Sequence, residues 1–145
     1  MKQPVYMPHP GHFICARDCR FHLNTYVNGY IVSTVGELWF SRAVREIHAQ
    51  VHDPAWLAEH QHRKGDDYDA VYFKRFGYEE LGCDRKYETM VFLAQSDPSK
   101  CCPWRVADAS ELEMHGYNEA DAAAEGHRAM VAKYARQRPT RRRRR

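Results

Sequence analysis

No stretch of this sequence approaches the roughly 18 consecutive apolar residues that a membrane-crossing helix needs. The opening segment, MKQPVYMPHPGH, holds one lysine and three prolines and lacks the apolar core of a secretory signal. The expectation is a protein that stays in the cytoplasm. In that compartment the five cysteines are thiols or metal ligands rather than disulfides, and an odd count leaves at least one unpaired. Signatures of chemistry are also missing: there is no P-loop, no G-x-S-x-G, no H-E-x-x-H and no paired-carboxylate motif. No internal repeat is present either.

Positive charge is scarce outside one place. The 145 residues carry 22 basic and 19 acidic side chains, a net of +3. Arg136, Arg138, Arg141, Arg142, Arg143, Arg144 and Arg145 account for seven of the cations; without them 15 basic residues face 19 acidic ones. A nucleic-acid-binding domain carries a basic face of its own, and residues 1–135 have no such excess. Arginines packed this densely repel one another and bury no core, so residues 136–145 are expected to be a disordered tail. Such a tail neutralises phosphates and confers salt-sensitive binding to nucleic acid without sequence preference.

At 43% hydrophobic and 12% aromatic, the body has the composition of one folded domain. Residues 1–11, with Pro4, Pro8, Pro10 and Gly11, are expected as a loop, and 12–135 as a single domain. His12 to Ala16 has the character of a short strand. Cys19 to Val27 alternates, with Phe21, Leu23, Thr25 and Val27 on one side and Arg20, His22, Asn24 and Tyr26 on the other. Asn28-Gly29 then favours a tight type I′ turn into a strand over Tyr30 to Val35. Ser41 caps a helix over 42–52 whose apolar members are Val44, Ile47, His48 and Val51. Asp53-Pro54 starts a second helix ending near Gly65, and a third ends at Gly77. Tyr87 to Ala94 is a strand, 95–110 is turn-rich, and Asn118 caps a last helix burying Ala123, His127, Met130, Val131 and Tyr134. The fold class expected is α+β: an antiparallel sheet of three or more strands, a helical insert and a C-terminal helix packed on one face.

The densest donor cluster is His12, Cys15, Cys19 and His22, with His9 nearby. Zinc takes thiolate and imidazole ligands, but this spacing fits no zinc finger, and Cys15 and Cys19 would lie about 13 Å apart along a continuous strand. These four residues are the zinc candidates, yet the expectation is no tightly held metal. A nucleophile at Cys15 or Cys19, with His12, His22 or His127 as base and Asp18 to orient it, is the enzymatic alternative, and nothing in the sequence brings those side chains together. His127 is expected as a core histidine bonded to backbone. Trp39, Phe40, Trp56 and Trp104 are expected in the core, and any one of them on an exposed patch points to a protein partner.

The segments GHFICARDCRFHLNT, STVGELWF, VREIHAQVHDPAW, FGYEELGCDRKYETMVF and GYNEADAAAEGH together resemble a family of small uncharacterised proteins encoded by bacteriophages and prophages. The resemblance spans roughly residues 8–135, and YETMVF is its most specific wording. It implies a phage gene expressed in the bacterial cytoplasm and carries over no catalytic or binding residues. In that family the segment before the last helix is richer in Cys and Gly. Here it is reduced to Cys101-Cys102-Pro103, which argues against a metal in that loop. The function expected is an accessory protein that binds a host or phage macromolecule, such as a host defence component or enzyme. The alternatives are a nucleic-acid-associated protein anchored by its tail and a metalloprotein or enzyme built on the His12 cluster.

Overall fold

The computed structural model describes residues 2–12 and 16–137. The described residues cluster into two compact units, one from residues before 39 together with those from 80 onward, the other from residues 39–79.

The first unit is a six-stranded antiparallel sheet with one long helix. Strands β1 (Val5–Met7), β2 (Cys19–Val27), β3 (Tyr30–Leu38) and β4 (Tyr87–Ser96) are neighbours in that order. Two short strands, β5 (Trp104–Val106) and β6 (Glu113–Tyr117), share the far edge of β4, pairing with its C-terminal and N-terminal parts respectively. The β2–β3 hairpin turns where the sequence places it. Asn28 and Gly29 have φ of 52° and 87°, and Val27 pairs with Tyr30. Strand β1 lies within the segment expected as a loop. Of the expected strand from His12 to Ala16, residues 13–15 lie outside the described residues, and Ala16–Asp18 form a single 3₁₀ turn.

Helix α4 (Ala120–Ala135) covers one sheet face. Val27, Tyr30, Val32 and Val91 meet Met130, Val131 and Tyr134 there, all essentially buried. Burying each of the large apolar side chains contributes about 1.5–3 kcal/mol. The five positions expected on the inner side of this helix are all buried. His127 bonds to Thr25 Oγ1 and Thr34 Oγ1, each at 2.8 Å, rather than to the backbone. Asn118 is not the helix cap; its Oδ1 accepts from the Lys86 backbone N–H at 3.2 Å. Glu113 on β6 fastens the helix from the side, accepting from Lys133 at 2.7 Å and from the Tyr134 hydroxyl at 2.9 Å. Those hydrogen bonds, with His115, hold its carboxyl down at about 2.

Gly36 matters on the same face. A Cβ there would lie 2.1 Å from the Tyr87 ring, which crosses directly over β3 and meets Phe21 edge-on. The opposite face is covered too. Asn24 and Tyr26, on the side expected to be polar, are buried and half-buried, and Tyr26 stacks on Trp104 at 4.0 Å.

The second unit holds α1 (Arg42–His52), α2 (Pro54–His60) and α3 (Gly65–Phe76). Ser41 and Asp53 cap the first two as the sequence indicates, accepting from Val44 N and Trp56 N. α2 ends at His60, a few residues short of expectation, and α3 stops at Gly77, whose φ of 74° suits glycine. The core is Ala49, Leu57, Tyr68 and Tyr72, packed with Trp56, Phe73 and Phe76. The orientation of α1 reverses the expectation: Arg45 and Ala49 are buried, while Val44, Ile47 and Val51 face out. Arg45 makes the difference. Its guanidinium pairs with Asp69 at 2.7 Å, donates to the Phe40 carbonyl at 3.0 Å, and lies within 5.0–5.5 Å of the Trp39, Tyr68, Tyr72 and Phe73 rings. The ion pair and the four ring faces compensate the buried charge, while Nη1 is left without a hydrogen-bond partner.

Candidate functional site

The sheet face opposite α4 carries a cavity of about 520 Å³. Its floor includes the buried side chains of Ile31 and Val106. One wall is the strap of residues 8–12. Asn24 Nδ2 donates to the His9 carbonyl at 2.6 Å, and His12 Nδ1 lies 2.7 Å from Ser33 Oγ. Gly11 makes this possible, since a Cβ on it would fall 2.7 Å from Asn24 Oδ1 and 3.1 Å from Ser33. The other wall is the loop before β5. Asp97 organises it, accepting from Ser99 Oγ at 2.6 Å, while the Asp97 N–H donates to the Pro103 carbonyl at 2.8 Å. Pairing of β4 with β5 then fixes where Cys101 and Cys102 emerge.

The two walls bring three donors together. His9 Nδ1 is 3.2 Å from Cys102 Sγ and 3.3 Å from Cys101 Sγ. All three ligand atoms lie within 4.8 Å of one another, which qualifies the group to hold a metal ion. His9 and Cys101 are exposed and Cys102 is half-buried. An imidazole beside two thiols offers soft donors to a cation and a base to a nucleophile.

The residues singled out from sequence are placed differently. His12, Cys19 and His22 line a smaller cavity of about 380 Å³ with Pro10, Ala16 and Arg17. Cys15 lies outside the described residues. Cys19 is buried against Ala16 and Val35, and His12 Nε2 is 3.7 Å from Glu88 Oε2. His127 is bonded to Thr25 and Thr34 on the opposite sheet face, so it does not serve Cys19 as a base. Of the tail, Arg136 is an exposed residue just past α4, and Arg138 with Arg141–Arg145 lie outside the described residues.

A second surface feature belongs to the helical unit. Val44, Ile47 and Val51 are 46%, 66% and 71% exposed, at spacing that puts them on one side of α1, and Phe40 just before the helix is 45% exposed. Among the aromatic residues assigned to the core from sequence, Phe40 is the one that stands in solvent.

No family model, curated protein or solved structure matches this chain. Among the described residues no helix is long and apolar enough to cross a membrane.

Proposed function

We infer that this is a phage-encoded accessory protein that acts by binding a host or phage protein. The outward apolar row of α1 is the surface that does so. The observation that carries this reading is the inversion of α1: a helix with three aliphatic residues in register turns all three to water and buries an arginine. A row at i, i+3 and i+7 is the spacing with which one helix fills an apolar groove on another protein. The resemblance to phage proteins supplies the setting, and the absence of catalytic signatures favours binding over reaction. The net negative charge of residues 1–135 favours a protein over nucleic acid as the partner of the folded body.

The experiment is affinity capture from a bacterial host lysate with the full chain and with the Ile47→Asp, Val51→Asp double variant. Both positions are solvent-facing, so the variant should keep its circular dichroism spectrum and its melting temperature. A protein captured by the parent and lost by the folded variant is the expected result. Equal capture by both would remove α1 from the binding surface.

A further inference from the structure

We propose that His9, Cys101 and Cys102 form a zinc site at the rim of the sheet cavity. The donors come from segments some ninety positions apart and meet without help from any local motif. Tetrahedral zinc with bonds of about 2.0–2.3 Å to imidazole and thiolate sets neighbouring donors about 3.5 Å apart. The 3.2 and 3.3 Å separations from His9 Nδ1 to the two sulfurs are close to that edge.

Hydrogen bonding alone leaves the arrangement poorly explained. A neutral imidazole has one ring nitrogen with a free lone pair, which accepts one good hydrogen bond. Here two thiols crowd the same Nδ1. A cation between the three atoms removes the conflict. Each thiol loses its proton to solvent on binding, and the imidazole stays neutral.

Three protein ligands leave a fourth position, as in zinc sites that accept an exogenous group. His9, Cys101 and Cys102 all line the cavity, so an ion held by them borders it. Two further features of the cavity wall point to a polar occupant. Asn24 lines it, and its buried Oδ1 lacks a hydrogen-bond partner. Lys100, Arg105 and Asp97 share the same lining, with Arg105 paired to Asp97 at 3.5 Å, so both signs of charge border the cavity. The fourth ligand that suits this setting is water. The ion would also tie the strap at residues 8–12 to the loop before β5, closing a long loop of chain.

The test loads the reduced, chelator-stripped full chain with zinc and, separately, with cobalt. About one zinc per chain is expected by elemental analysis, together with a thiolate-to-cobalt charge-transfer band in the near ultraviolet and a zinc-dependent rise in melting temperature. His9→Ala and Cys102→Ser should lose the ion, while Cys15→Ser, Cys19→Ser and Cys83→Ser should keep it. Loss on Cys15→Ser or Cys19→Ser with retention in His9→Ala would move the ion to another site and overturn the proposal. Should the ligand variants fail to fold, the unsubstituted chain decides, because cobalt bound without a thiolate band, or no stoichiometric metal at all, also refutes it.

Discussion

His127 is wholly buried, with a threonine hydroxyl on each ring nitrogen and a third, Thr89, bonded to Thr34 at 2.6 Å. Burial, followed by the nearby charge of Arg128, pushes its pKa down from 6.5 to about 4. Between those values the unfolded chain holds the proton and the folded chain does not. Stability is therefore complete above pH 6.5 and falls as pH drops toward 4, by up to about 3 kcal/mol. Denaturant unfolding of the parent across this window should show that slope, and His127→Gln should flatten it. An unchanged slope in the variant would assign the dependence to other groups. Glu113 acts at lower pH, its contribution being lost as pH falls from 4.5 toward 2. The inner side of the last helix, His127 included, was legible because its period is local. The His9, Cys101 and Cys102 group was not. Its members meet only through the placement of the strap on β2 and the pairing of β4 with β5, and no spacing within the sequence encodes either.

Among the elements, the hairpin was the most legible, since alternation and Asn-Gly specify both strands and their register at short range. Gly29→Val should lower stability by about 2 kcal/mol, because a β-branched residue resists positive φ. The site is open, with nothing within 4 Å of a Cβ there, so the loss measures backbone conformation alone. Thermal melting checks it, and an unchanged midpoint would contradict the turn. The helices of the insert were equally plain from their caps. The inward side of α1 was misassigned because periodicity weighs Val, Ile and Arg by hydropathy, whereas Arg45 is buried by Asp69 and four rings supplied from elsewhere. Strands β5 and β6 left little trace. The first is three residues after a proline, and the second, EMHGY, has weak strand propensity and forms by pairing with β4.

At the scale of the whole molecule, charge is divided between a body of about −4 and a terminal run of arginines. The full chain should bind duplex DNA weakly, with a log–log salt slope of about −4 to −6 if five to seven arginines engage. A chain ending at Ala135 should not bind. A salt titration of the two side by side distinguishes the outcomes: equal binding places the interface on the folded body, and binding by neither excludes nucleic acid as a partner.

The position of the helical insert bears on the order of assembly. Gly36 and Tyr87 are register neighbours in adjacent strands, yet roughly fifty residues separate them. Closing a flexible loop of that length, instead of a four-residue turn, costs about 2 kcal/mol in chain entropy. The insert has its own core, so its helices can condense early and shorten the effective tether. The β2–β3 hairpin, closed by two residues, forms fast and waits. Docking of β4 is then the slow event, and the β5 and β6 edges, which pair with it, follow.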